Sequence, residues 1–211
     1  MIDAISARHA DCNSILEEVL RLRHRTFVQR LGWDVPTDGE FERDEFDHAD
    51  AWYLILSGDR GEVAGTCRLI PTTSSYMLAG PFRGLLEDRP PPSSAGVWEC
   101  SRLAVDFDGG ARGASLVRSL TAQIYCGIVE FGLSVGMKEL LAVYDPIVGR
   151  FLRHIGCNPA WEGPARNCGQ CLALAASFRI DIPLLLSIRS RCGVQGPVLR
   201  SAQSVAARTA A

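Results

Sequence analysis

The sequence lacks both a long apolar run and a secretory start. No stretch approaches the ~20 consecutive apolar residues that a membrane-spanning helix needs. The opening residues, MIDAISARHADCN, have neither the basic region nor the apolar region of a signal peptide. We therefore expect a cytoplasmic protein that does not use a membrane as a partner and whose eight cysteines are reduced thiols.

A strong charge of either sign is also missing. The chain has 22 basic and 24 acidic residues, which gives a formal net charge of −2. This balance provides no overall attraction to nucleic acid or to an anionic membrane. We therefore predict that nucleic acid is not a partner of this protein.

Internal repeats and obvious linkers are absent from the 211 residues, which are enough for one domain with its own core. We predict a single domain over residues 1–193. The sequence after Gly193 contains few large apolar residues, so we expect residues 194–211 to be a flexible C-terminal tail.

A second CxxC motif, which many zinc sites require, is missing. Cys168 and Cys171 form the one such motif, and His154 and Cys157 lie upstream of it. Structural zinc sites need four well-spaced ligands. The motif is therefore better interpreted as a turn between two small residues, and we predict no metal site.

The elements that are present follow the order of an α/β protein. Ser14 and Glu17 form a capping box before an apolar helical stripe. A strand, a glycine-rich turn, a long helix and another strand then predict a βαβ unit in a mixed central sheet. The predicted elements are a helix over 14–29, a hairpin over 51–71, a strand over 97–105, a helix over 114–134, a strand over 138–144, a helix that ends at Gly156, and a final strand in CLALAASFRI.

The stretch VWECSRLAVD (97–106) predicts a buried strand that contains polar side chains. In a regular strand Glu99 and Ser101 share one face and Arg102 lies on the other. Both charges could face one cleft only if the strand carries a bulge, and bulges are common beside active sites. A half-buried glutamate is a plausible general base. We take Glu99, together with its polar neighbours Ser101 and Arg102, as candidate catalytic residues.

An acidic stretch before the hairpin has two possible interpretations. Asp44, Glu45 and Asp47 cluster around Phe46. A run of charges is usually a solvated loop, but carboxylates beside aromatic rings also suit an ammonium or sulfonium ion. The residues alone leave both possibilities open.

Arginines near this stretch also admit a structural and a functional interpretation. Arg21, Arg23 and Arg25 point to different faces of the first helix, and one of them could clamp a ligand carboxylate. Arg68 lies inside a predicted strand, where burial is costly unless the guanidinium is paired. The glycines of DGGARGAS could hold a phosphate or simply form a tight turn.

Four stretches together resemble the acyl-homoserine lactone synthases, or autoinducer synthases. The resemblance extends from about residue 15 to residue 156, and the order, spacing and residue types agree. The stretches are RLRHRTFVQRLGWDVP (21–36), ERDEFDHADAWYLI (42–55), GTCRLIPTT (65–73) and WECSRLAV (98–105). The positions that match the family pattern are Arg23, Phe27, Trp33, Asp44, Asp47, Arg68, Glu99 and Arg102.

This resemblance implies a fold and a reaction. The fold would be a three-layer α/β/α sandwich related to the N-acetyltransferases. The α-amine of S-adenosylmethionine would attack the thioester of an acyl-acyl carrier protein, and the methionine carboxylate would then close the lactone ring. The products would be an N-acyl-L-homoserine lactone for quorum sensing, methylthioadenosine and holo-carrier protein. No resident cofactor is implied, because S-adenosylmethionine is a substrate and phosphopantetheine arrives on the carrier.

The resemblance also implies roles for the unusual residues. Glu99 would remove the proton from the amine, and backbone N–H groups near Cys100–Arg102 would stabilise the tetrahedral oxygen. Arg68 and Arg102 would form supporting ion pairs. The residues that would bind S-adenosylmethionine are Arg23, Phe27, Trp33, Asp44 and Asp47.

Two further predictions concern the acyl donor. The acyl pocket would include Met77, Leu103, Ile124, Ala142 and Leu152. The absence of a hydroxyl at Ala142 argues against a 3-oxo chain. Arg150 and Arg153 match the family's basic docking helix for the acidic carrier, although a plain amphipathic helix with exposed arginines is an equal alternative.

Two other functions stay open from the sequence. One is a coenzyme A-dependent N-acetyltransferase on the same fold, and the other is a non-catalytic module that binds acyl carrier or S-adenosylmethionine. Production of methylthioadenosine distinguishes both from a lactone synthase.

Overall fold

The computed structural model describes residues 1–8, 13–106, 111–169 and 171–200. The chain forms two compact units, each built from separate segments. Unit 1 comprises Met1–Arg68, Arg102–Gly127 and the residues from Pro197 onward, and unit 2 comprises Leu69–Ser101 and Ile128–Gly196. The prediction of a single domain over 1–193 stays a prediction.

The elements follow the predicted order. The strands are β1 (Ile2–Ser6), β2 (Thr37–Asp38), β3 (Phe41–Glu42), β4 (Trp52–Ser57), β5 (Val63–Pro71), β6 (Val97–Val105), β7 (Glu139–Tyr144), β8 (Trp161–Glu162), β9 (Arg166–Cys168) and β10 (Cys171–Arg179). The helices are α1 (Asn13–Arg23), α2 (Ala111–Val135), α3 (Pro146–His154) and α4 (Ile182–Cys192), with a π-helix over His24–Arg30 and 3-10 turns over Met77–Ala79 and Arg83–Leu86. No helix in the described ranges is both long and apolar enough to cross a membrane.

In unit 1 a small sheet packs against α2. β1 is antiparallel to β4, β4 lies beside β5, and the end of β6 lies beside β5, where the Asp106 N–H donates to the Ala64 oxygen at 2.9 Å. Gly65 permits close packing, because a Cβ there would lie 2.7 Å from Cδ1 of Ile124 on α2. Alternate strand residues face opposite sides, so Arg68 points away from α2.

The first part of the predicted tail lies against this sheet. The N–H of Ile2 donates to the Val198 oxygen at 2.8 Å, and the N–H of Arg200 donates to the Ile2 oxygen at 2.8 Å. Val198 is buried. Residues 201–211 of the predicted tail lie outside the described residues.

Unit 2 has a sheet that contains both strand directions. β6 and β7 are parallel, with paired residues from Val97–Glu139 to Cys100–Ala142. β10 is antiparallel to β7 and also pairs with β8 and β9. The parallel β6 and β7 on either side of α2 in the chain agree with the predicted βαβ unit, and the two directions make the sheet mixed.

β6 carries a bulge, a feature that the sequence required only if Glu99 and Arg102 were to face the same way. The Thr72 N–H donates to the Val97 oxygen, and the Asp106 N–H donates to the Ala64 oxygen. Between these two hydrogen bonds β5 advances eight residues and β6 advances nine, so β6 contains one extra residue. Arg102 has a φ of +53°, a value that a side chain other than glycine rarely adopts.

The structure differs from the predicted elements in several places. The predicted helix over 14–29 continues as a π-helix after Arg23, where the Leu31 N–H donates to the Thr26 oxygen five residues back. The strands β1, β2, β3, β8 and β9 and the helix α4 were not predicted. For α4 the sequence does contain a typical helix start, an N-cap aspartate at Asp181 with a proline two residues later. The glycine-rich turn lies outside the described residues over 107–110, and the side chains of 111–115 are not described either.

The start of α4 supplies a test of local stability. The Asp181 carboxylate accepts a hydrogen bond from the Leu184 N–H at 2.9 Å and caps the helix. Asp181→Ala removes this acceptor and should lower the free energy of unfolding by about 1 kcal/mol in urea titrations. Asp181→Asn keeps an acceptor and should stay close to wild type, whereas equal stability of the alanine variant would contradict the capping role.

Candidate active site

A network of buried ion pairs dominates the described part of unit 1. Three arginines from different elements meet three carboxylates. The arginines are Arg23 at the end of α1, Arg68 on β5 and Arg102 at the bulge of β6. The carboxylates are Glu42 on β3 and Asp44 and Asp47 in the following turn.

Arg23 and Asp47 form a bidentate, buried pair within the network. Nη1 of Arg23 donates to Oδ1 of Asp47 at 2.7 Å, and Nη2 donates to Oδ2 at 3.0 Å. The side chains are 1% and 2% exposed. Asp47 also accepts from the Tyr53 hydroxyl at 2.8 Å and from the Asp44 N–H at 2.9 Å. Asp47 is therefore held from several directions by protein groups.

Asp44 joins the other two arginines. Nη1 and Nη2 of Arg68 donate to its two oxygens at 2.5 and 3.1 Å, and Nη2 of Arg102 lies 2.7 Å from Oδ2. Nη1 of Arg68 also lies 2.9 Å from Oδ1 of Asp47. Arg68 is fully buried and Asp44 is 7% exposed, so this part of the acidic stretch is not a solvated loop.

Glu42 is a third carboxylate of the network and was not predicted from the sequence. Its Oε2 accepts from Nε of Arg23 at 2.5 Å, and its Oε1 accepts from Nε of Arg102 at 3.0 Å. Its side chain is fully buried. The stretch contains several acids, and nothing in their order indicates that Glu42 turns inward while Glu45 is exposed. Tyr53, whose hydroxyl donates to Asp47, was missed for a different reason, because its ring fits any buried strand.

The charges of the network balance one another. Burial alone would raise the pKa of Asp47, but the hydrogen bonds and charge of Arg23 and the charge of Arg68 outweigh it and hold that pKa well below its usual value. Burial would lower the pKa of Arg23, and its bonds to Asp47 and Glu42 raise it instead. Arg23 and Asp47 are therefore both charged at neutral pH.

An aromatic pair adjoins this network. The rings of Phe27 and Trp33 stack with centroids 5.1 Å apart and an interplanar angle of 14°. The guanidinium carbon of Arg102 lies 5.6 Å from the centre of the Phe27 ring. Phe27 is buried and Trp33 is partly exposed. The π-helix and the Trp33 N–H bond to the Phe27 oxygen, at 2.8 Å, hold the pair in place.

Glu99 lies in unit 2 and is held by backbone groups. Its Oε1 accepts from the Met77 N–H at 2.9 Å, and its Oε2 accepts from the Leu78 N–H at 2.7 Å. It is 1% exposed, which is deeper than the half-buried position that the sequence suggested. Burial and the Glu99 charge raise the pKa of Tyr76 to about 12. Ser101, two residues further along β6, is half-buried.

The predicted acyl-pocket residues belong to both units. In unit 1 Ile124 is fully buried and Leu103 is partly exposed. In unit 2 Met77 and Leu152 are buried, and Ala142 is partly exposed on β7, where it pairs with Cys100 and Ala176. Their assignment to one pocket stays a prediction.

The predicted docking arginines differ in their surroundings. Arg150 is exposed on α3. Arg153 is 44% exposed, and its Nη2 donates to Oε1 of Glu162 at 2.5 Å. Glu162 also accepts from the Tyr144 hydroxyl at 3.0 Å. Arg153 therefore helps to hold α3 against β8, whereas Arg150 has no such contact in the described ranges.

Each unit contains a surface cavity. The cavity in unit 1 has a volume of about 330 Å³ and is lined by Arg25, Thr26, Gln29, Arg30, Val105 and Asp106. The cavity in unit 2 has a volume of about 570 Å³ and is lined by Pro81, Phe82, Gly84, Leu85, Arg166, Asn167, Cys168 and Gly169. Neither set of lining residues was predicted from the sequence. Among the described side chains, no group of three or more His, Cys, Asp or Glu residues is arranged to hold a metal ion.

Comparison with known proteins identifies the family. The sequence model of the autoinducer synthases matches residues 8–182. An acyl-homoserine-lactone synthase of Ralstonia solanacearum is 35% identical over 182 residues, which cover 84% of this chain and 89% of the relative. The chain therefore belongs to the autoinducer synthase family, and it is an acyl-homoserine-lactone synthase.

Solved structures agree with this assignment and with the predicted fold class. BjaI, a coenzyme A-dependent acyl-homoserine lactone synthase solved with S-adenosylmethionine and isopentyl-coenzyme A, has a TM-score of 0.82 and 28% identity. The match covers 99% of this chain and 98% of BjaI. A Lactobacillus plantarum protein assigned as an N-acetyltransferase has a TM-score of 0.54 and 16% identity over 85% of this chain and 99% of its own, so it shares the fold alone. The predicted α/β fold of the N-acetyltransferase type is confirmed.

The depressed pKa of Asp47 predicts a specific response to acid. A carboxylate with a lowered pKa in the folded state stabilises the fold above its unfolded pKa of about 3.9, and this contribution is lost as the pH falls below that value. Asp47→Asn should reduce the free energy of unfolding at pH 7 by about 3–5 kcal/mol, because it leaves buried arginine charge uncompensated. In urea titrations, the free energy of unfolding of this variant should also fall less steeply between pH 4 and pH 3 than that of the wild type.

Asp59→Asn is the matched control, because Asp59 is exposed in the turn between β4 and β5. It should leave both the stability at pH 7 and the acid decline unchanged. Equal acid slopes for wild type and Asp47→Asn would contradict the assigned role of Asp47.

Proposed function

We propose that the enzyme makes its lactone from S-adenosylmethionine and an acyl-acyl carrier protein. The amine nitrogen of S-adenosylmethionine attacks the thioester carbon, the C–S bond breaks, and an amide and the holo-carrier thiol form. The methionine carboxylate then displaces methylthioadenosine from its own γ-carbon and closes the lactone ring. Because the second step is intramolecular, an enzyme that holds the chain bent supplies much of its rate.

The observation that carries this proposal is the buried network in unit 1. It collects five of the eight residues that match the family pattern, namely Arg23, Asp44, Asp47, Arg68 and Arg102. Burying paired charges costs desolvation energy, and apolar side chains of similar size often stabilise a fold as well or better. A functional requirement for charge at this position is the simplest reason to keep six of them, and BjaI, which was solved with S-adenosylmethionine, supports the choice of substrate.

Residues that position the site differ from residues that would contact S-adenosylmethionine. The Arg23 and Asp47 side chains are almost fully buried and bonded to each other, so we assign them to positioning and not to direct binding of S-adenosylmethionine. Trp33 is partly exposed and stacked on Phe27, which suits contact with a sulfonium. Asp44, at 7% exposure, orients Arg68 and Arg102.

Glu99 is assigned as the general base. The two backbone N–H groups fix the orientation of its carboxylate, one on each oxygen. Each carboxylate oxygen can accept more than one hydrogen bond, so this anchoring is compatible with proton removal from the amine, directly or through water. The β6 bulge at Arg102 changes the path of the backbone at this point. We assign stabilisation of the tetrahedral oxygen to backbone N–H groups near Cys100–Arg102.

The choice of donor depends on α3. Its exposed side chains include Arg150, Arg153 and His154, which suit the acidic surface of a carrier protein. Coenzyme A is the second candidate donor, because BjaI is coenzyme A-dependent. The two donors share the phosphopantetheine thioester, so the chemistry at Glu99 is the same for both.

The direct test supplies the enzyme with S-adenosylmethionine and a panel of acyl-carrier proteins, with the matching acyl-coenzyme A thioesters in parallel. Mass spectrometry should detect lactone and methylthioadenosine in equal amounts with carrier-bound chains. Turnover with the coenzyme A thioesters alone would refute the carrier as donor. Absence of both products from both panels would refute the proposed reaction.

Glu99→Gln tests the assigned base. The amide cannot accept the proton, so the rate of lactone synthesis should fall at least ~100-fold. Binding of S-adenosylmethionine, measured by calorimetry, should persist. Glu130→Gln is the matched control, because Glu130 is a largely buried glutamate that pairs with Arg189 at 2.7 Å. Near-normal synthesis by Glu99→Gln would remove Glu99 from the mechanism.

Reversal of one charge on α3 tests carrier docking. Arg150→Glu should raise the KM for acyl-carrier protein ~10-fold, a loss of about 1.4 kcal/mol, through repulsion of the acidic carrier. The KM for S-adenosylmethionine should not change. Arg60→Glu reverses an exposed arginine in the turn between β4 and β5 and should have no effect. If the carrier KM of Arg150→Glu is unchanged, α3 is not the docking surface.

A further inference from the structure

The β9–β10 hairpin places two cysteines directly opposite each other. Cys168 ends β9, Cys171 begins β10, and the two residues are paired in the antiparallel register. Opposed residues of such a pair have Cα atoms about 4.5–5.5 Å apart and side chains on the same face. This spacing lies within the range of about 4.4–6.8 Å that disulfides span. We propose that Cys168 and Cys171 are a redox pair that hydrogen peroxide converts to a reversible intramolecular disulfide.

Solvent exposure distinguishes Cys168 and Cys171 from most cysteines in the described part of the chain. Cys67, Cys100, Cys126 and Cys157 are buried, and buried thiols in apolar surroundings are inert. Cys168 and Cys171 are both half-buried. Cys168 also lines the cavity of about 570 Å³ in unit 2, which offers small oxidants and reductants a path to the thiol.

A permanent structural bond is a poor explanation of the same geometry. Two residues separate the cysteines, and so short a loop restricts the unfolded chain little when it is closed. Accessible disulfides also tend to be the easily reduced ones. A metal site is not supported either, because two thiolates supply half of the four ligands that zinc takes in structural sites. The pair is therefore better suited to reversible oxidation.

The chemistry balances with peroxide as the oxidant. One thiolate attacks peroxide, the O–O bond breaks, and a sulfenic acid and water form. The second thiol attacks the sulfenic sulfur, the S–S bond forms, and a second water leaves. Two thiols are oxidised and one peroxide is reduced, and two equivalents of a thiol reductant restore the starting state while forming their own disulfide. This inference is independent of the proposed lactone chemistry.

Tryptic digestion allows the redox state of Cys168 and Cys171 to be measured in a single peptide. Cleavage after Arg166 and Arg179 releases residues 167–179, which contain Cys168 and Cys171 and no other cysteine. The full-length protein is treated with hydrogen peroxide, free thiols are alkylated, and the peptides are weighed. We expect this peptide to lose two hydrogens, about 2 Da, and to take up no alkylating agent. Excess reduced glutathione should restore two alkylation sites.

Two comparisons keep the test specific. Cys168→Ser should abolish the loss of two hydrogens from residues 167–179. Cys192, which is also half-buried but lies on α4, should remain alkylated in residues 192–200 under the same treatment. Two free thiols in residues 167–179, higher sulfur oxides, or linkage between copies would overturn the proposal. A disulfide that resists reduced glutathione would overturn its reversibility.

Discussion

The ion-pair network of Arg23, Arg68 and Arg102 with Glu42, Asp44 and Asp47 is the constraint on which the rest of unit 1 depends. It joins the end of α1, β3, β5 and β6 through side chains that are almost entirely buried. Buried charges are tolerated only when each has partners with good geometry. The network therefore ties these elements to one another, because loss of one partner would leave an uncompensated buried charge.

The same network explains why β6 is irregular. Arg102 occupies an unfavourable backbone conformation at φ +53°, and its guanidinium is held by Glu42 and Asp44 beside the Phe27 ring. These contacts offset the backbone cost. Glu99 lies three residues earlier in the same strand and has its own anchor, the Met77 and Leu78 amides. β6 thus carries two charged residues, Glu99 and Arg102, and each is held by a different set of hydrogen-bond partners.

The unusual strand β6 could be recognised from the sequence, but not all of the side chains that form ion pairs in the network could. Charged residues inside an apolar run are costly to bury, so Glu99 and Arg102 marked this strand as unusual. A bulge was expected from the sequence only on the condition that both charges face one cleft. The inward turn of Glu42 could not be predicted, because it depends on a guanidinium 19 residues away in the chain, at Arg23. The ion pair of Arg153 with Glu162 could not be predicted either, because it also depends on a contact between separate elements. The π-helix was hidden because its apolar pattern resembles that of an ordinary helix over so few residues.

The measurement that tests the central claim most directly is the kinetics of Glu42→Gln. Glu42 is fully buried, so its removal cannot delete a contact with substrate. If the network positions Arg102 and the bulge for catalysis, kcat should fall at least ~10-fold while the KM for S-adenosylmethionine changes little, as expected for lost transition-state stabilisation. Urea titration of the same preparation would establish that the variant is folded. An unchanged kcat in a folded Glu42→Gln enzyme would show that the network serves stability alone.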